Sequence, residues 1–196
     1  VELLLIRHAE PIRVVDAAGP ADPHLHERGI VQAARLATWL EAEELHAVWS
    51  SPMHRARETA EAVAAAQGLP VLVDEELAEF DREATSYIPL EELKAARDER
   101  YLAMLDGKLE DYDTDSATFQ AGVVAAIERV VARHARQRVA VVAHGGVINA
   151  YLAHVLGIER MLFFEPRYTS VSRVLAASSG ERSVLTLNET GHLRSP

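Results

Sequence analysis

Residues 138–143 read RVAVVA, with five apolar side chains in unbroken succession after an arginine. A half-buried strand alternates apolar and polar residues, and a half-buried helix repeats every three or four; a short run that is apolar on both parities is a strand covered on both faces. This run therefore demands a parallel-type sheet with a layer on each side. Glu2 to Ile6, with LLLI at 3–6, makes the same demand, and AVWS from Ala47 to Ser50 gives a third candidate strand.

Helical periodicity fills the intervals. From Glu27 to Leu40, the residues Ile30, Ala33, Ala34, Ala37 and Leu40 predict a stripe facing the core. Residues 51–68, SPMHRARETAEAVAAAQG, run from a proline near the helix start to a stop at Gly68. Phe119, Val123, Ile127, Val130 and Val131 make a stripe between Ser116 and His134, and a further helix is predicted from near Gly146 to Leu156. Alternating segments at Val171–Ala177 and Ser183–Leu187 surround SSGE and predict a hairpin. The expected fold is α/β: a three-layer sandwich whose mostly parallel central sheet carries helices on both faces and an antiparallel edge.

The segment from Asp74 to Asp115 breaks the pattern. It is dense in charge, with DEELAEFDRE and LEELKAARDER, and is broken at Pro89 and Gly107. A lid inserted over one end of the sheet is expected there, within a single domain spanning residues 1–196. Trp39 and Trp49 are expected to pack in the core. His24 and His26, in DPHLHERG, read as solvated loop histidines, because no third metal ligand accompanies them.

Charge and composition narrow the function. With 30 acidic residues against 20 lysines and arginines the net charge is −10, which disfavours nucleic acid or an anionic membrane as partner. The absence of cysteine excludes disulfides, thiolate metal sites and a thiol nucleophile, and fits a cytoplasmic location. No secretory leader is expected, since no basic segment precedes the first apolar run, and no apolar stretch approaches the roughly 20 residues of a membrane span.

Three stretches, IRHAE, WSSPMHRA and VVAHGG, each end a predicted strand and begin a turn or helix. Ligands of open α/β sheets bind beyond the carboxyl ends of the strands, so Arg7, His8, Arg55 and His144 are expected to converge there. Two arginines with two histidines, and no carboxylate beside them at the strand ends, suit a dianion and not a divalent metal. A phosphoryl group calls for planar bidentate donors; one charge pair at 4 Å is worth on the order of 4 kcal/mol at an effective dielectric near 20. Candidate nucleophiles are Ser50, Ser51, His8, His144 or a metal-activated water. A neutral imidazole attacks near pH 7 without a base if its second ring nitrogen donates to a fixed acceptor, which suits His8.

In this order, RHAE, HERGIVQA, SSPMHRARETA, HGG and YTSVS resemble the histidine phosphatase superfamily, the phosphoglycerate mutase-like phosphohydrolases, over nearly the whole chain. The resemblance implies that His8 attacks phosphorus to form a phosphohistidine, while Arg7, Arg55 and His144 bind the phosphate oxygens. It places the general acid on Glu79, within LAEF, with Asp81, Glu76 and Glu83 as neighbouring carboxylates. Thr169 and Ser170 align with a polar pair that lines the pocket. Ala9 replaces a common glycine, and Val14 stands where an asparagine is usual, so that Arg13 is expected to supply that phosphate contact.

No metal and no cofactor are implied. The lid is largely acidic and short for a mutase, so water is the expected acceptor and a small organic phosphomonoester the expected substrate, at mildly acidic or neutral pH. A phosphoglycerate mutase and a non-catalytic phospholigand-binding regulatory module are the alternatives. Phe80, Tyr87, Tyr101 and Tyr112 are candidates for selecting the leaving group, and a homodimer is the default assembly.

Overall fold

The computed structural model describes residues 1–105 and 115–194. In chain order the elements are β1 (Glu2–Arg7), α1 (Glu27–Leu40), β2 (Ala47–Ser50), α2 (His54–Gln67), β3 (Val71–Val73), α3 (Leu90–Ala96), α4 (Glu99–Leu105), α5 (Ser116–Arg133), β4 (Arg138–Ala143), α6 (Gly145–Leu156), β5 (Val171–Ala176) and β6 (Arg182–Glu189). The six strands form one sheet in the order β3-β2-β4-β1-β5-β6. β1 to β4 run parallel, while β5 pairs antiparallel with both β1 and β6. The expected fold class is the observed one.

The doubly apolar strands divide their side chains by parity. Leu3, Leu5, Trp49, Val139 and Val141 enter the core formed with α5 and α6, whereas Leu4, Ile6, Val48, Ala140 and Val142 enter the core formed with α1 and α2. Trp39 packs at the margin of the second core and stacks on His192 at 5.2 Å.

On α1 the buried face is Gly29, Ala33, Leu36, Ala37 and Leu40; Ile30 is 59% exposed and Ala34 is exposed as well. The stripe expected from hydrophobicity is turned because the helix approaches the backbone that follows β1. A Cβ on Gly29 would lie 2.0 Å from the Glu10 carbonyl oxygen, so glycine takes the contact position. β3 escapes the periodicity argument, being a three-residue edge strand. His26 caps α1 by accepting from the Arg28 amide at 3.2 Å, and His24 is exposed and paired with Glu58.

Beyond β3, a 3-10 turn at Glu75–Leu77 precedes α3 and α4. Residues 84–87 are stitched to the loop after β1: Val14 and Tyr87 exchange both amide–carbonyl bonds, at 3.0 and 2.9 Å, and the Ala21 amide donates to the Ala84 carbonyl at 2.7 Å. Residues 106–114 of the expected lid, with Gly107 and Tyr112, lie outside the described residues.

Candidate active site

β1 delivers Arg7 and His8 to its carboxyl end. The His8 amide donates to the Ala143 carbonyl at 2.9 Å, extending the ladder to β4 by one residue. The next amide, of Ala9, donates to Thr59 Oγ1 at 2.9 Å, and Thr59 donates to the Arg55 carbonyl at 2.7 Å, which ties the loop to the first turns of α2. Arg7, His8, Arg55 and His144 are all buried, and the His8 and His144 rings lie 5.0 Å apart. The structure brings these four together.

His8 Nδ1 lies 2.8 Å from the Ala9 carbonyl oxygen. A carbonyl only accepts, so Nδ1 carries the proton and Nε2 keeps its lone pair. Burial, reinforced by the charges of Arg55 and Arg7, holds the His8 pKa well below the ordinary value, and the same causes lower that of His144. His8 is therefore neutral near pH 7. His144 Nε2 lies 2.7 Å from Ser51 Oγ.

Arg7 Nε, Arg55 Nε and Nη1, His144 Nδ1 and Ser170 Oγ are buried with no hydrogen-bond partner among the described residues. Buried donors are ordinarily paired, so a concentration of unpaired ones around a neutral imidazole fits an anion with several acceptor oxygens. The arginines have carboxylate neighbours that the strand ends do not show. Arg7 Nη1 donates to Glu91 Oε1 at 2.8 Å and to the Pro166 carbonyl at 2.7 Å, and Arg55 Nη2 donates to Asp81 Oδ1 at 3.1 Å. Glu91 and Asp81 reach in from the segment after β3, where sequence spacing could not locate them. Among the described residues, no three His, Asp or Glu side chains gather to hold a metal ion.

Glu79 is 8% exposed. Its Oε2 accepts from the Gly146 amide at 2.7 Å and its Oε1 from the Phe80 amide at 3.2 Å. Burial, together with the charge of Asp81, pushes its pKa up to about 7 against these hydrogen bonds and Arg55. A Cβ on residue 146 would stand 2.2 Å from Glu79 Oε1, so the second glycine of HGG makes room for this carboxyl group.

A cavity of about 570 Å³ opens from this cluster and is lined by Arg7, His8, Arg55, Glu79 and Gly146 at one end. His144 stands outside the lining, beside the His8 ring. Thr169 and Ser170 are also buried outside it: Thr169, at φ +55°, donates its hydroxyl proton to the Tyr168 carbonyl, and its Oγ1 lies 2.9 Å from His192 Nε2. The expected contact from Arg13 is not met by its placement. That side chain is 55% exposed, 3.5 Å from Glu92, and absent from the lining, because the Val14–Tyr87 pairing fixes the loop with Arg13 outward.

Sequence reasoning missed Asn149. Its Nδ2 donates to the carbonyls of Gly145 and Phe164, and its Oδ1 accepts from the amides of Phe163 and Phe164. It thus fixes the loop that brings Phe163 and Phe164 into the cavity lining. The signal was available: one amide in an otherwise apolar turn of α6, within a stretch buried on successive residues from Gly146 to Ala153.

Comparison with known proteins gives the class. The model of the histidine phosphatase superfamily (branch 1) matches residues 3–190. The chain belongs to this superfamily and is a phosphatase of the histidine type. It is similar to phosphoserine phosphatase 1 of Hydrogenobacter thermophilus, at 34% identity covering 98% of this chain and 94% of the relative. It is also similar to the adenosylcobalamin/alpha-ribazole phosphatase of Escherichia coli, at 32% identity over 81% of this chain and 80% of the relative. Among solved structures, a phosphoserine phosphatase mutant from Entamoeba histolytica in complex with phosphoserine superposes with a TM-score of 0.79, covering 98% of this chain and 99% of that one. At 23% identity it bears on the fold alone.

Proposed function

We propose that the chain hydrolyses small organic phosphomonoesters without a metal, with His8 as nucleophile, Glu79 as general acid and base, and Arg7, Arg55 and His144 as the phosphate cradle. The observation that carries the reading is the protonated Nδ1 of His8, pinned to the Ala9 carbonyl amid buried donors with no partner. In the first step the Nε2 lone pair attacks phosphorus, the P–O bond to the alcohol breaks, and Glu79 gives its proton to the departing oxygen. In the second, water attacks the phosphohistidine, Glu79 takes the water's proton, and the P–N bond breaks to return neutral His8 and free phosphate. A carboxyl group with a pKa of about 7 serves both steps. The guanidinium groups meet the charge on the transferring group and stabilise it as it redistributes in the transition state.

The placement of Glu79, Phe80, Tyr87 and Tyr101 in the cavity lining supports the lid reading of residues 74–115. Water as acceptor is supported by the scarcity of cations to grip a second anionic group. Beyond Arg7 and Arg55, the described lining offers Arg100, which is bound to Asp98, and the exposed Arg160. A cytoplasmic location rests on the lack of cysteine; no helix among the described residues is long and apolar enough to cross a membrane. A homodimer rests on general frequency alone.

The test is a phosphate-release screen over sugar phosphates, glycerates, phosphoamino acids and an aryl phosphate, with chelator present and His8→Ala as control. Release that survives the chelator and disappears with His8→Ala is expected. Loss to the chelator contradicts the metal-free chemistry, and isomerisation of phosphoglycerate primed by a bisphosphate would reassign the acceptor. Ligand binding without release by the intact protein would point to a regulatory module.

A further inference from the structure

Away from His8 the cavity changes character. Its apolar lining is Phe80, whose ring packs against Gly146, with Leu90 and Leu93 of α3, Met104 of α4, and Leu162 and Phe163 of the loop held by Asn149. Phe80 is braced edge-on by Phe119 with ring centroids 5.8 Å apart, and Phe163 packs on Phe164 at 4.9 Å. The volume of about 570 Å³ falls within the roughly 300–1,000 Å³ typical of sites for drug-sized ligands, well beyond what a three-carbon phosphoester fills.

Polar groups beside that hydrocarbon wall are paired within the protein at Lys94, Tyr101 and Glu165, while Arg160 stands exposed at its edge. Lys94, on α3, is bound to both Glu165 oxygens at 2.7 and 2.9 Å, and the Tyr101 hydroxyl donates to Glu165 at 3.0 Å. Glu165 is thereby neutralised at the rim. A leaving group with its own carboxylate and ammonium would find only the exposed Arg160 for the first, and would otherwise have to displace such pairs or leave its charges facing Phe80, Leu162 and Phe163.

Resting on the phosphatase reading, we infer that the preferred substrates are phosphomonoesters of bulky, hydrocarbon-rich alcohols, alkyl or aryl-alkyl, and not of short polar ones. The phosphate is held at Arg7, His8 and Arg55, and the alcohol's carbon body lies against Phe80, Leu162 and Phe163. Discrimination comes from hydrocarbon burial, which increases with each methylene until the cavity is full.

The test separates binding from chemistry. Binding of n-alkylphosphonates of increasing length, which cannot be hydrolysed at the P–C bond, is followed by calorimetry. Phosphate release is followed for the matching n-alkyl phosphates from propyl upward, whose leaving groups have nearly constant acidity. Both affinity and kcat/KM are expected to rise about fourfold per methylene, the equivalent of ~0.8 kcal/mol, and then level off. Phosphoserine and 3-phosphoglycerate are expected to fall at least a hundredfold below the best alkyl ester. Leu162→Asp should flatten the dependence on chain length, read as a ratio between long and short esters within the same variant. A flat series in the wild-type protein, or phosphoserine as the best substrate, overturns the inference and leaves the phosphatase reading intact. Affinity that climbs with length while no ester is hydrolysed upholds the ligand class and overturns the phosphatase reading.

Discussion

The Gly146 amide donates to Glu79 Oε2 at 2.7 Å, joining the second glycine of HGG to a carboxyl group contributed 67 residues earlier in the chain. The bond holds Glu79 at the cavity wall while burial keeps its pKa near 7. Below that pH Glu79 holds the proton needed by the leaving group, and above it the proton is lost. His8, with a lowered pKa, remains neutral across the same range. The kcat/KM for an alkyl phosphate is expected to be level through mildly acidic pH and to decline as pH rises through about 7, with an acid limb only at lower pH. A pH–rate profile checks this, and Glu79→Gln should abolish the alkaline limb.

The same substitution should separate leaving groups. Glu79→Gln is expected to slow alkyl esters by about 10²–10⁴-fold, the usual contribution of a positioned acid. A nitrophenyl phosphate, whose leaving group departs without a proton, should lose far less. The measurement is the ratio of kcat/KM values for the two esters in each protein, because kcat/KM reports the step in which the leaving group departs and kcat also carries the slowed hydrolysis of the phosphoenzyme.

Ser51 Oγ lies 2.7 Å from His144 Nε2 and accepts from the Met53 amide at 3.3 Å. A hydroxyl that donates to Nε2 leaves the His144 proton on Nδ1, the ring nitrogen without a partner. Ser51→Ala should therefore weaken phosphate binding and lower kcat/KM by about threefold to tenfold, the scale of one hydrogen bond. Ser51→Thr should restore most of it. Inhibition by inorganic phosphate, measured in all three proteins, reads the effect.

Asn149→Leu would leave the Phe163 and Phe164 amides without their acceptor. A cost of about 1–3 kcal/mol in unfolding free energy is expected for each amide left buried and unpaired. KM for a long-chain ester should rise more than KM for a short one, because the loop carries Leu162 and Phe163 into the apolar lining. Denaturant unfolding and steady-state kinetics check the two parts.

Gly29→Ala tests why α1 is turned from its most hydrophobic face. A methyl group would meet the Glu10 carbonyl, so about 1–3 kcal/mol of destabilisation is expected, measured by denaturant unfolding. Ile30→Ala, at an exposed position on the same helix, should change stability by less than about 0.5 kcal/mol.

The sheet was legible because RVAVVA and LLLI are apolar on both parities, and the convergence of Arg7, His8, Arg55 and His144 followed from their places at strand ends. β3 was not legible, since three residues at an exposed edge carry no period. The face of α1 was misjudged because hydropathy does not record the Glu10 carbonyl that Gly29 must clear. Arg13 was misplaced by chain proximity: it is near His8 in sequence, but the pairing of Val14 with Tyr87 directs it outward. Glu91 and Asn149 escaped, and Asp81 was read only as a neighbour of Glu79 and not as the partner of Arg55, because the groups they bind are remote in sequence, at separations from 14 to 84 residues where a hydrogen bond joins them to the site loop or the arginines.

The most direct measurement is to quench the enzyme during turnover of a ³²P-labelled ester and locate the label. An acid-labile, base-stable phosphoramidate on His8 is expected, absent from His8→Ala and accumulating in Glu79→Gln with an aryl ester, for which deprotonation of water becomes the slow step. Steady turnover with no labelled protein in any of these, or label carried by Ser50, Ser51 or His144, would contradict His8 as nucleophile.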